Sequence, residues 1–350
     1  MTRVNDDIVE ALVLLGLDRA DAQQAVSQDR VALALVGPLL QRDRTLGVEE
    51  AAKRLDLPAE YLLARDRALG LPPDMGYSDD EIEELRPLGA LFQILSPDAV
   101  LRNMRSDAQA LTRIAMSNLQ LVNDEVAEPM RAAGGGDVAV ALALAEAART
   151  LLPETVPLMT SSFRRILTYL VSTEIVAAGS RGPTGDMPVA VGFVDVVGYT
   201  SLSARIDPEG LDEILEAFES LCFRVADAHA NVQLVKFLGD AAMYVGMDST
   251  SLAATLLEIV DPTEADPALE SAPMRGGMAW GTVLMRGGDY FGPPVNLAAR
   301  LTDHARPGSV LADDALRDQL SGFDTRRVPP MRLRGLGMHR PVRVRFPPEG

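Results

Sequence analysis

Apolar positions along this chain change their period once. Up to about residue 178 they recur every three or four residues, and beyond about 187 they gather into short runs broken by glycine, proline and acids. The first part reads as a stack of helices. Ile8, Leu12, Leu15 and Leu17, then residues 31–40, sit at amphipathic spacing, with glycine or proline at several boundaries. Within residues 45–73 a helix from Val48 to Leu55, a break at Asp56-Leu57-Pro58 and a helix from Glu60 to Leu69 form a helix-turn-helix pattern. Gly134-Gly135-Gly136 predicts a loop, after which helix resumes from Asp137 through Leu151 to Ile175. There Leu152, Val156, Met159, Phe163, Ile166 and Leu170 make an apolar stripe, which reads as core or dimer seam rather than as a ligand pocket. The run from Ala177 to Gly185 reads as a flexible linker. The expected organisation is an all-helical domain over 1–178, a linker over 179–187 and a second domain over 188–347.

The second domain carries the chemistry. Val189 to Val194 is continuously apolar, as in a buried strand, and Gly198 opens a tight strand-to-helix turn whose amides can meet phosphate. Asp195 stands at the mouth of that turn. Val232 to Phe237 and Ala241 to Val245 flank Leu238-Gly239-Asp240, a hairpin with a carboxylate at its tip. Either aspartate alone would be an ordinary turn or cap residue, whereas together the two suit a pair of divalent cations. A third segment runs from Gly288 to Arg300. Its prolines start a helix on which Asn296 and Arg300, four apart, share one face, offering an amide for a sugar and a guanidinium for a phosphoryl group.

Composition narrows the setting. The chain has 350 residues, enough for two domains, and a net charge of -17, which argues against a nucleic-acid scaffold because such affinity comes chiefly from basic surface. Glu49, Glu50, Asp56 and Glu60 in the helix-turn-helix pattern favour a plain helical packing unit over a DNA reader. The single cysteine, Cys222, can form no internal disulfide, as suits a reducing compartment. The acidic start lacks a signal-peptide pattern, and the longest apolar stretch, Val138 to Leu152, is interrupted by Glu146 and Arg149 and too short to span a bilayer. The expected location is cytoplasmic.

From about Met187 to Phe346 the chain resembles the class III nucleotidyl cyclases. The motifs fall in the family's order: Phe193-x-Asp195-x-x-Gly198-x-Thr200, then Lys236-x-x-Gly239-Asp240, then Asp289 ahead of Val295-Asn296-x-Ala298-x-Arg300. The resemblance implies an α+β sandwich with a mainly antiparallel sheet behind an all-α regulatory domain. It makes Asp195 and Asp240 the ligands of two divalent cations, Mg2+ or Mn2+. Lys236 and Asp289 become the base-reading pair, Asn296 and Arg300 the transition-state pair, and Phe193, Gly198, Tyr199 and Thr200 the lining of the nucleotide site. Arg334, where the family usually has lysine, becomes a clamp for terminal phosphates.

The base-reading pair agrees with elementary chemistry. Adenine shows an acceptor at N1 and a donor at N6, complementary to a lysine donor and an aspartate acceptor, while guanine shows the reverse. The implied substrate is ATP, cyclised by attack of its ribose 3′-hydroxyl on the α-phosphorus with loss of pyrophosphate. The resemblance also implies a homodimer in which Asp195 and Asp240 of one subunit face Lys236, Asp289, Asn296 and Arg300 of the other. The helical half is similar to regulatory domains of some actinobacterial members, which suggests autoinhibition relieved by pH, a lipid or another small molecule. No histidine lies in that half; His229, His304 and His339 are all in the other. Gly287-Gly288-Asp289-Tyr290-Phe291 mimics the Gly-Gly-Asp-Glu-Phe loop of diguanylate cyclases, but Tyr290 replaces the acid and no metal-binding aspartate motif lies suitably upstream. The alternatives are a guanylate or mixed-specificity cyclase and a catalytically silent nucleotide- or DNA-binding regulator.

Overall fold

The structure, a computed structural model, describes residues 9–10, 12–13, 18–27, 44–72, 75–172, 186–261 and 266–347. The chain divides into two compact units, Met1–Ile166 and Leu167–Gly350. The linker expected over 179–187, the helix expected over 31–40 and the positions of Ile8, Leu15 and Leu17 lie wholly or largely outside the described residues.

The first unit is helical. Its helices are α1 (Arg19–Ser27), α2 (Val48–Leu55), α3 (Ala59–Leu69), α4 (Asp79–Leu85), α5 (Pro87–Ile94), α6 (Pro97–Val122), α7 (Glu128–Ala132) and α8 (Asp137–Ser172). The helix-turn-helix pattern is present: α2 ends at Asp56, in the left-handed region at φ 54°, and Pro58 caps α3. Ala51, Ala52 and Leu62 from this pair pack with Tyr77, Ile82, Leu88 and Val100. Two of its arginines are engaged by carboxylates of the same unit, Arg54 by Glu50 and Asp79 and Arg65 by Asp66. Two hydrogen bonds between Leu46 and Tyr77 close a bridge, and beside it lies a cavity of about 230 Å³ lined by Arg44, Arg65, Asp66, Tyr77, Glu81 and Leu85 among others.

Helix α8 carries the apolar stripe, and there the core alternative fails. Val156, Phe163 and Ile166 are exposed, with Met159 and Leu170 half-buried, while Leu167 and Val171 extend the uncovered surface. This 36-residue helix, which runs across the division at Ile166, thus carries an apolar face that is largely exposed.

The second unit is a sandwich built on β1 (Asp186–Val196), β2 (Val232–Phe237), β3 (Ala241–Gly246), β4 (Met274–Arg286), β5 (Asp289–Phe291), β6 (Val310–Ala312), β7 (Asp324–Arg327) and β10 (Val342–Arg345); β8 (Met331–Leu333) and β9 (Gly337–His339) form a separate hairpin. The strand order is β2-β3-β1-β4-β6-β10-β7, with β5 paired to β4, and all pairs are antiparallel except β4 with β6. Strand β1 starts at Asp186, inside the stretch read as linker, because the long β4 extends the ladder to an Asp186↔Leu284 pair.

Alternation in the central strands separates two faces. Ala190, Val194 and Val196 of β1, with Ala242 and Tyr244 of β3, pack under α10 (Pro208–Ala228) and α11 (Ser249–Val260). Val189, Val191 and Phe193, with Met243 and Val245, pack on the opposite face around Ala298 of α12 (Pro293–His304). Burying each of these larger apolar side chains contributes about 1.5–3 kcal/mol, and the same alternation fixes where the polar residues point. Asp195 follows Val191 and Phe193 onto the α12 face.

Candidate active site

Strand register places Asp195 opposite Arg275 of β4. The arginine donates from Nε to Asp195 Oδ1 at 2.7 Å, from Nη2 to Oδ2 at 3.0 Å, and from Nη1 to the Asp303 carbonyl at 2.5 Å. Burial pushes the Asp195 carboxyl above the ordinary carboxylate range, with Asp240 and Asp303 adding to the rise and Arg275 opposing it. Asp240 closes the β2–β3 hairpin beside Gly239 at φ 67°, and its carbonyl accepts from the Val196 amide at 3.0 Å. The two expected metal carboxylates are therefore brought to one strand end. Next to them Gly198, at φ 74°, caps the five-residue α9 (Tyr199–Ser203). Among the described residues the amides of Gly198, Tyr199 and Thr200 have no backbone acceptor. Thr200 is exposed, and the Tyr199 ring packs on the core. The Phe193 side chain is buried in the core on the α12 face, two residues before Asp195.

Lys236 of β2 and Asp289 of β5 meet although they stand 53 residues apart; Lys236 Nζ donates to Asp289 Oδ2. Both side chains stay a little under one-third exposed, open to a ligand. Asn296 and Arg300 lie on an exposed face of α12, Arg300 donating to Asp303 Oδ2 at 2.9 Å and Asn296 making no side-chain hydrogen bond among the described residues. Arg334 is exposed at the tip of the β8–β9 hairpin, before Gly335 at φ 81°. Within one chain, then, the Asp195–Arg275 and Lys236–Asp289 contacts are separate, and Arg300 is linked to the first through Asp303, which accepts from both arginines.

Comparison with known proteins decides the family. Residues 184–343 match the adenylate and guanylate cyclase catalytic domain. An adenylate cyclase of Streptomyces coelicolor is 32% identical over 84% of this chain and 76% of its own length. The chain belongs to the class III adenylate/guanylate cyclase family. It is thereby an enzyme, a cyclase of the phosphorus–oxygen lyase class. A pH-sensitive adenylate cyclase of Mycobacterium tuberculosis is 29% identical over 92% of this chain and 85% of its own, so the likeness of this cyclase to it reaches well into the helical half. Among solved structures, the guanylate cyclase domain of RhGC from Catenaria anguillulae aligns with 21% identity over 45% of this chain and 96% of that one, at a TM-score of 0.40.

The donor chemistry of the cyclase fits divalent cations. Asp195 and Asp240 supply hard carboxylate oxygens at one strand end, and Mg2+ ordinarily takes one or two carboxylates and completes its shell with water and substrate phosphate. Among the described residues no group of three or more histidine, cysteine or acidic side chains is placed to hold a metal ion. Arg275 is the residue sequence reasoning missed. Its only sequence signal is a cation in an apolar strand, and its importance comes from lying opposite Asp195. Gly277 and Gly281 were missed too. A Cβ on Gly277 would fall 2.3 Å from the Thr302 amide nitrogen and 2.6 Å from the Ala298 carbonyl, and one on Gly281 would fall 2.7 Å from Pro294. These glycines seat α12, and with it Asn296 and Arg300, directly on β4.

Proposed function

We propose that this cyclase converts ATP to 3′,5′-cyclic AMP and pyrophosphate at two equivalent sites of a homodimer, under restraint by its helical half. The observation that carries the reading is the Lys236–Asp289 pair, a partly exposed donor and acceptor assembled from distant strands and complementary to adenine N1 and N6. A guanine base would leave both groups unmatched, which such sites reject strongly.

In this reading Lys236 and Asp289 hold the base, Asn296 holds the ribose, and Arg300, released from Asp303, delocalises the charge that develops on the α-phosphoryl oxygens. Asp195 and Asp240 of the facing subunit would hold the two divalent cations, which when bound lower the pKa of the ribose 3′-hydroxyl and neutralise the departing pyrophosphate. Arg275 shields Asp195 and Asp240 from mutual repulsion until the cations arrive. The amides of the Gly198 turn and Arg334 face the phosphates. The exposed face of α8, with Phe163 and Ile166, supports a dimer, since a second copy can cover what this chain leaves open. The charged lining of the cavity beside Tyr77 suits a polar regulatory ligand better than a wholly apolar one. Among the described residues no helix is long and apolar enough to cross a membrane, and we place the enzyme in the cytoplasm.

The test is product formation by the full chain with Mg2+ or Mn2+ and either triphosphate. Cyclic AMP should exceed cyclic GMP by at least about tenfold, and chelation should abolish both. Equal rates would favour the mixed-specificity alternative, and no product from either nucleotide would favour the silent regulator. Removing residues 1–178 should raise specific activity roughly 5- to 150-fold, the range of ordinary allosteric coupling. Equal activity of the two proteins would refute the restraint.

A further inference from the structure

Two local features hold the base-reading pair in place. The first is a bulge. Leu234 lies opposite Tyr244, but Lys236 lies opposite Met243, so Val235 is an extra residue in β2. In a regular ladder Val235 would take Met243 and Lys236 would pair with Ala242, whose side chain belongs to the face covered by α10 and α11. The bulge moves Lys236 to the other face, that of Met243 and Val245.

The second feature is Tyr290. It is 5% exposed and packs with Met243, Val245, Val283 and Ala298, while its neighbours on β5 point outward, Phe291 being 49% exposed. The strand that carries it is only three residues long, follows the Gly287-Gly288 turn, with φ 60° and 75°, and is paired along its length with β4, so the Tyr290 ring is what anchors it to the core across the sheet. The Tyr290 amide donates to Asp289 Oδ1 at 2.8 Å, leaving Oδ2 toward Lys236. One ring thus pins β5 to the same core against which the bulge presents Lys236, and one amide orients the acceptor.

We propose that Tyr290 is a positioning residue that sets base selectivity by holding the Asp289 carboxylate at a fixed spacing from Lys236. The proposal rests on the reading of that pair as the adenine contact. It also explains why an aromatic residue stands where the diguanylate-cyclase-like motif would carry an acid: the position faces the core.

The experiment measures ATP and GTP cyclisation by the full chain with Tyr290→Phe, Tyr290→Leu and Tyr290→Ala. Phenylalanine keeps the ring and should leave the ATP:GTP ratio of kcat/KM within about twofold, because no contact of the hydroxyl is invoked. Alanine should lower that ratio about tenfold or more, chiefly by raising KM for ATP, since a displacement near 1 Å can cost about a hundredfold. Leucine keeps apolar volume but not the planar ring, should fall between, and carries the test if the alanine protein does not fold. A folded leucine or alanine variant that loses ATP and GTP turnover equally, or keeps the wild-type ratio, overturns the proposal. Lys236→Ala separates the two levels: if it leaves the ratio unchanged, the adenine reading of the pair has failed before Tyr290 is at issue.

Discussion

Mixing an Asp195→Ala protein with an Arg300→Ala protein will restore about a quarter of wild-type cyclic AMP output, although each alone gives under about 1% of it. The single losses are large for different reasons. Asp195 is a carboxylate held ready for a cation whose charge neutralisation amounts to several kcal/mol in phosphoryl transfer, and an arginine acting on a transferring phosphoryl group contributes about 10³- to 10⁵-fold. Within one chain Asp195 is engaged by Arg275 and Arg300 by Asp303, whose carbonyl also accepts from Arg275, so each group is held by a protein partner. If each site takes its aspartates from one subunit and its arginine from the other, a mixed dimer has one site with both lesions and one with none. Random exchange makes about half the dimers mixed, each with half the normal number of sites, hence about one quarter. The readout is cyclic AMP from protein carrying two distinguishable tags, so that mixed dimers are confirmed independently. Confirmed mixed dimers without recovery would mean that Asp195 and Arg300 serve the same site from the same chain.

What the sequence made legible was whatever depends on near neighbours. The apolar run of β1 and the hairpin around Asp240 appear where their patterns put them, as does the proline-started α12 carrying Asn296 and Arg300 on one side. The meeting of Lys236 with Asp289 was legible only through the family's motif order, because periodicity cannot say which residues of distant strands coincide. Arg275 shows the limit most clearly. Alternation tells which face of β4 it occupies, but its partner depends on the β1–β4 register, set by tertiary pairing across 80 residues. The Val235 bulge was hidden for the same reason, since an extra residue exists only relative to a partner strand. The stripe on α8 was legible as apolar, yet its uncovered state is a property of the folded unit.

Gly277→Ala will lower turnover about a hundredfold while leaving the protein folded. The new methyl would lie 2.3 Å from the Thr302 nitrogen and 2.6 Å from the Ala298 carbonyl, and because both are backbone atoms of α12 no side-chain rotation relieves the overlap. Overpacking of this kind costs about 1–3 kcal/mol, which is absorbed by a domain whose stability is of order 5–15 kcal/mol. The relief is for α12 to lift from β4, and that helix carries Asn296 and Arg300. Its seat also includes the Thr302 hydroxyl, which donates to the Ala298 carbonyl at 2.9 Å and, more weakly, to that of Phe193 at 3.4 Å, linking the helix to the strand that carries Asp195. With Asn296 and Arg300 in their proposed roles, a shift near 1 Å there accounts for the expected hundredfold loss. Gly192→Ala is the control, because its methyl would meet Leu256 Cδ1 at 2.8 Å, a movable side-chain end on the opposite face of the sheet. It should lower the melting temperature by a similar amount and leave kcat within about twofold, since the clash is with a side chain that can move and leaves α12 in its seat. Thermal melts and initial rates on the two proteins decide the matter: equal losses of rate would show that α12 is not seated by close contact at Gly277, and that general destabilisation suffices.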